Sequence, residues 1–290
     1  MRKWTVVSVL GCAQFVMVLD GTVMNVSIST VVEDLDTSVS ALQAAITFYT
    51  LTMAAFMLLG AKLGDVWGRR RAFVAGSCIY ALGSLITALS PNVQVLFLGW
   101  SVVEGLGAVL VIPAIAALVA DNYRGADRVT AFAIIGAVSG AAVAAGPLIG
   151  GAVTTYADWR YVFVAEVVIM IAVVACARMI ADTTPPQGTR IDIASVVLSS
   201  LGLVFVVFGM LQSKTWGWVL PLSVPQVAGV PVAPFGISLS AWFMVVGAVL
   251  ITLFIRRQRH LADHGRTPLV DVRMFSISSL RSGLSVLGAQ

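Results

Sequence analysis

Eight stretches of this chain are each long and apolar enough to cross a bilayer, and nothing else in it constrains the fold as much. A helix needs about 20 apolar residues to span the hydrocarbon layer. Runs of that size fall at 5–28, 42–60, 72–90, 94–119, 129–152, 160–180, 194–213 and 238–255. A ninth begins near Phe275, and the sequence stops at Gln290 before that run is long enough to cross. With 59% hydrophobic and 11% charged residues and a mean hydropathy of +0.96, the expected class is an all-α polytopic membrane protein. Arg2-Lys3 ahead of an apolar run mimics a signal peptide. No convincing small-residue cleavage site follows and further runs come at once, so the first run is expected to be retained.

The net charge of +4 describes topology rather than a nucleic-acid partner. With the N-terminus inside, 16 of the 18 basic residues fall in cytoplasmic segments. They are Arg2 and Lys3, Lys62 and Arg69 to Arg71, Arg124 and Arg128, Arg178 and Arg190, and six between Arg256 and Arg281. Arg160 and Lys214 are left outside, and the first outer loop carries Glu33, Asp34 and Asp36 without a base. This is the positive-inside pattern, and it supports the helix count and a cytoplasmic N-terminus; the expected location is a cell (inner) membrane. Trp159, Trp216, Trp218 and Trp242 fall near the outer ends, as an interfacial belt would. The expected organisation is a six-helix bundle over 1–182, a cytoplasmic linker over 183–193 marked by Pro185-Pro186, and a helix pair over 194–255. A basic loop over 256–274 and the truncated start of a further helix over 275–290 follow.

Ionisable groups inside a bilayer are costly, at about 3 kcal/mol for the centre even on insertion scales. Asp20, Glu104 and Glu166 therefore stand out. At a rise of about 1.5 Å per residue, Asp20 lies about 24 Å from the inner start of the first run. Glu104 and Glu166 lie about 15 Å and about 9 Å from the outer starts of theirs. All three are expected between the midplane and the outer third. A carboxyl group in a dry cavity can exchange protons near neutrality, or pair with a cationic substrate. The plainer alternative is a protonated acid bonded to a neighbouring helix. Asn25, with Gln43, Thr47 and Thr50 at helical spacing, adds polar groups that suit a substrate surface or interhelical hydrogen bonds equally well.

Two glycine-punctuated strings have no evident use in a soluble core. In Gly-Asp-Val-Trp-Gly-Arg-Arg-Arg, Gly64 and Gly68 permit a tight reversal, while Asp65, Arg69 and Arg70 can pair or cap a neighbouring helix. In the fifth run, Gly136, Gly140, Gly146, Pro147, Gly150 and Gly151 leave little side chain on part of the surface, and Pro147 removes a backbone hydrogen bond and kinks the helix. His260 and His264 lie in a basic stretch without further ligands, so no metal site is expected. Cys12, Cys78 and Cys176 sit in apolar runs without metal or disulfide spacing. There is no phosphate-binding Gly-Lys-Ser/Thr loop, no Ser/His pair and no membrane-embedded histidine, so neither ATP nor an enzyme is implied.

These strings resemble the motifs of the major facilitator superfamily, and most closely its fourteen-helix drug/proton antiporter branch. Leu19-Asp20-Gly21-Thr22-Val23-Met24-Asn25-Val26 is similar to that branch's first-helix signature. Lys62 to Arg71 resembles the loop motif between helices 2 and 3, and Gly136 to Gly151 the helix-5 antiporter motif. Asp192 with Gly202, Gly209 and Trp216-Gly217-Trp218 is similar to the extra seventh helix, and Pro268 to Phe275 to the entry of the second bundle. Helix 4 of the family usually carries Arg-x-x-Gln-Gly. Here Ser101-Val102-Val103-Glu104-Gly105 loses the arginine and gains an acid, and Glu166 stands where asparagine is common. A more negative cavity favours a cationic or amphiphilic cationic substrate.

The resemblance implies export of small molecules driven by the proton gradient, with no cofactor. Asp20 would exchange the proton, assisted by Glu104 or Glu166, while Asp65, Gly68, Arg69, Arg70 and Asp121 would latch the cytoplasmic side. It also implies two six-helix bundles around a central helix pair, of which this chain would supply the first bundle, the pair and a stub. Expected partners are the lipid bilayer, a small-molecule substrate, and the missing second bundle or a second chain. The competing expectation is a non-transporting truncated product or a subunit completed by association.

Overall fold

A computed structural model of the chain describes residues 2–181, 191–227, 230–231, 233–271 and 274. The expected ninth-helix start from Phe275 and most of the 183–193 linker fall outside these residues. The polypeptide divides into two compact units, Met1–Gly188 and Thr189–Gln290.

The first unit runs through α1 (Arg2–Val26), α2 (Ile28–Asp34), α3 (Val39–Trp67), α4 (Arg69–Ala88) and the single turn α5 (Val93–Leu96). A π-helix, Phe97–Glu104, carries α5 into α6 (Gly105–Asn122), and α7 (Gly125–Tyr156) and α8 (Arg160–Cys176) complete it. The second unit holds α9 (Ile193–Trp216) and α10 (Leu239–Asp263), joined through the two-residue antiparallel strands β1 (Gln226–Val227) and β2 (Val230–Pro231). Among the described residues eight helices are long and apolar enough to cross a membrane, six in the first unit and two in the second.

Helix ends follow local chemistry. Ser38, Asn92, Asp192 and Ser238 each accept a backbone N–H at the start of α3, α5, α9 and α10. The reversal between α3 and α4 is made by Gly68 alone, at φ +98°, a conformation open to glycine. Gly64, expected to share that turn, lies buried inside α3 instead. Helices also outrun the apolar runs. α10 continues to Asp263, into the stretch expected as a basic loop, because hydropathy marks the lipid slab while the i→i−4 ladder continues through Arg256 to Asp263. α7 likewise extends past its apolar run to Tyr156, with Pro147 inside the helix.

Lipid supplies no hydrophobic drive between helices, so close packing decides the arrangement. α1 packs on α7 and α8, α4 on α6, α8 and the π-helix, and α3 on α6. Counted as six crossings, the first meets the fifth as the second meets the fourth, the third meets the fourth as the sixth meets the first, and the third and sixth meet each other. Exchanging the first three crossings with the last three leaves these pairings unchanged, as an internal three-helix repeat would. Small residues bring the backbones together: a Cβ on Gly107 of α6 would stand 2.5 Å from the Tyr80 backbone nitrogen of α4.

Candidate functional site

Through Phe97–Glu104 the backbone bonds five residues back rather than four. The altered register buries Trp100, Ser101 and Glu104 together. Gly83 lets α4 lie directly against this segment, since a Cβ there would come within 2.5 Å of the Glu104 backbone nitrogen. Glu104 thereby meets Asp20 of α1 and Glu166 of α8. One carboxylate oxygen from each lies within 4.8 Å of the others, and Asp20, Glu104 and Glu166 are 1%, 0% and 1% exposed.

The Trp100 indole N–H donates to both Asp20 oxygens, at 2.9 and 3.0 Å. Tyr49 of α3 stacks flat on Trp100 at 4.9 Å, and the Ser101 hydroxyl donates to the Ala45 carbonyl at 2.7 Å. Ser84 Oγ lies 3.1 Å from Glu104 Oε2 and 3.0 Å from Glu166 Oε2. Both Oε1 atoms and the Tyr80 hydroxyl are buried without a hydrogen-bond partner. Among the described residues, no ion pair includes any of the three acids. Two unit charges within 4.8 Å repel by about 3 kcal/mol even at an effective dielectric of about 20. The cluster is therefore suited to hold protons or a cation, and not three bare charges.

Other residues expected at this site are elsewhere. Asn25 is exposed and its amide donates to the Gly21 carbonyl, 2.6 Å away in its own helix. Gln43 and Thr50 are exposed on α3, and Thr50 bonds the Ile46 carbonyl of that helix. Conversely, Trp100, Ser84, Tyr49 and Tyr80 were not singled out by the sequence. Trp100 directly precedes the Ser101–Gly105 string, and that adjacency is the one signal that could have found it.

The loop motif closes one end of the first unit. Arg69 meets Asp121 at 2.6 Å and Asp65 at 3.7 Å, and Arg70 donates to the Ile180 carbonyl at 3.2 Å. At the opposite end Arg160 pairs with Asp34 at 2.6 Å and donates to the Ser90 carbonyl at 3.1 Å, and the Trp159 indole also donates to Asp34. The glycines of α7 divide between two faces. A Cβ on Gly146 would overlap the Thr22 hydroxyl of α1, and one on Gly150 would stand 3.2 Å from Val23. Gly136, Gly140 and Gly151 face open space. In the second unit Asp192 takes a two-pronged bond from Arg257, at 2.7 and 2.8 Å. These bonds, with help from Ser195, hold its carboxyl well below the usual carboxylate range against a smaller opposing effect of burial.

Similarity to known proteins agrees with this architecture. The chain is 32% identical over 290 residues to the puromycin resistance protein pur8 of Streptomyces alboniger, covering 99% of this chain and 54% of that protein. It is 28% identical to the probable actinorhodin transporter of Streptomyces coelicolor, over 98% of this chain and 47% of the relative. It is 26% identical to the multidrug efflux pump LfrA of Mycolicibacterium smegmatis, over 99% and 54%. The chain thus spans about half the length of the curated relatives it matches. A peptide transporter POT in complex with sulfate shares the fold at a TM-score of 0.58 and 15% identity, over 89% of this chain and 69% of that one. The human organic anion transporter MFSD10 does so at 0.53 and 13%, over 72% and 56%. The family model of the Major Facilitator Superfamily matches residues 10–284, and the chain belongs to that superfamily.

Proposed function

We propose that this protein is a carrier, not an enzyme, that exports small cationic or amphiphilic molecules from the cell in exchange for protons. The observation that carries the reading is the meeting of Asp20, Glu104 and Glu166, from three separate crossings, in a buried site with no basic partner among the described residues. Asp20 exchanges the proton, and Glu104 and Glu166 share that work and make the site attractive to a cation. The antibiotic-resistance and efflux relatives support export, and the basic residues gathered at the Arg69 end support a cytoplasmic N-terminus. No cofactor is required, because the proton gradient supplies the energy.

We assign the first unit to the N-terminal bundle of a fourteen-helix antiporter, and α9 and α10 to its central pair. Alternating access needs a second bundle that rocks against the first, supplied in cis or in trans. The open glycines Gly136, Gly140 and Gly151 suit such a moving contact. Arg69 with Asp121 is the latch on the cytoplasmic side.

Everted vesicles from the native membrane test this reading. A proton gradient imposed without ATP should drive uptake of a lipophilic cation such as ethidium, and a protonophore should abolish it. Uptake that needs ATP and ignores the protonophore would sink the assignment.

A further inference from the structure

One serine hydroxyl stands between two buried carboxyl groups, and it has a single hydrogen. Ser84 Oγ is 3.1 Å from Glu104 Oε2 and 3.0 Å from Glu166 Oε2, with both glutamates and the serine closed off from solvent. A hydroxyl donates one hydrogen bond, while an ionised carboxylate can only accept. Ser84 therefore donates to one glutamate at a time. The second contact is a hydrogen bond only when that glutamate carries a proton and donates it to Ser84 Oγ. With both glutamates ionised, one contact would press two acceptor oxygens together at 3.0 or 3.1 Å, too close for anything to screen them.

We infer that Glu104, Ser84 and Glu166 form a proton-sharing bridge, in which one glutamate is kept as the neutral acid and Ser84 relays its proton to the other. In the relay the acid's proton moves to Ser84 Oγ as the serine's own proton moves to the facing carboxylate. One O–H bond breaks and one forms at each oxygen pair, the serine is left neutral, and the negative charge changes sides. The titratable groups acting on the pair are Asp20 from α1, Tyr49 from α3 and Tyr80 from α4. Asp20 accepts from Trp100 through both oxygens, whereas Ser84 contacts Glu104 and Glu166, so the bridge runs between the two glutamates. The backbone contact at Gly83 holds Ser84 within reach of Glu104. A proton suits this site better than a metal ion: both Asp20 oxygens face the Trp100 N–H and both Oε2 atoms face the Ser84 hydroxyl, so four of the six carboxylate oxygens are turned to protein hydrogen-bonding groups rather than to a common centre. The bridge deepens the coupling site proposed above, and it rests on that reading only for its part in transport.

Infrared difference spectroscopy of the purified protein in lipid tests the bridge directly, because the C=O stretch of a protonated carboxyl is resolved from that of a carboxylate. At neutral pH a protonated-carboxyl band is expected. Glu104→Gln and Glu166→Gln should each abolish or displace it, and Asp20→Asn should leave it in place. Ser84→Ala should move it to the higher frequency of a carboxyl that has lost a hydrogen bond, and Ser84→Thr, which restores a hydroxyl, should return it. A wild-type protein without such a band at neutral pH overturns the bridge, whatever the variants do. So does a band that ignores Ser84→Ala, or one that disappears with Asp20→Asn alone. The spectrum needs no transport, so failed export counts against the exporter reading and a missing band against the bridge.

Discussion

Glu104 occupies a position where the superfamily resemblance leads one to expect a glutamine, and Glu166 one where asparagine is common. The structure buries both beside Asp20. If these acids attract a cation as well as share the proton, Glu104→Gln and Glu166→Gln should each lower export of a cationic substrate by about tenfold, or about 1.4 kcal/mol of interaction, and lower export of a neutral analogue of the same shape by less. Matched transport assays with the two substrates check this, and undiminished export of the cation would contradict it. That three acids lie within apolar crossings was legible from the sequence, because each interrupts a long apolar run. Their meeting was not, since it depends on the Phe97–Glu104 register and on the absence of a side chain at Gly83. Asn25 follows Asp20 in one motif, yet it lies outside the acid cluster, exposed and bonded back to Gly21. Ser84 was one serine among many on apolar helices, and its two partners are distant in sequence.

At the scale of elements, the α7 glycines make a contrast that stability measurements can read. Gly146→Ala would force a methyl into Thr22 of α1, and such overpacking costs about 1–3 kcal/mol. Gly136→Ala and Gly140→Ala meet nothing and replace a poor helix former with the best one, so they should be neutral or stabilising by up to about 1 kcal/mol. Thermal unfolding in detergent separates the two cases, and equal losses at all three positions would refute the assignment of faces. The helix pair offers a second case. The folded Asp192 carboxyl titrates below its unfolded value, so its bond to Arg257 contributes stability above about pH 5 and loses it as pH falls through the folded value. The advantage of the wild type over Asp192→Asn should thus be constant from neutral pH down to about pH 5 and shrink below it. An advantage that already shrinks between pH 8 and about 6 would contradict this. Element existence was legible because each crossing is a long apolar run. Element ends were not, as α10 shows by carrying its backbone ladder through Arg256 to Asp263.

At the scale of the whole molecule, ion pairs close both ends of the first unit: Arg69 with Asp121 at one, Arg160 with Asp34 at the other. A carrier that alternates must break its latches in turn. Arg69→Ala and Asp121→Ala should each slow transport, and the double variant should be little worse than the poorer single one, with a coupling of about 0.5–3 kcal/mol in a double-mutant cycle. Additive losses would mean that the two residues act separately. The most direct test of the account is proton release on substrate binding, followed with a pH dye in weakly buffered solution of the protein purified intact from its native membrane. The wild type should release protons on addition of a cationic substrate, and Asp20→Asn should bind that substrate and release fewer or none. Binding without proton release in the wild type, or release undiminished by Asp20→Asn, would contradict a carboxyl-coupled exchange at this site.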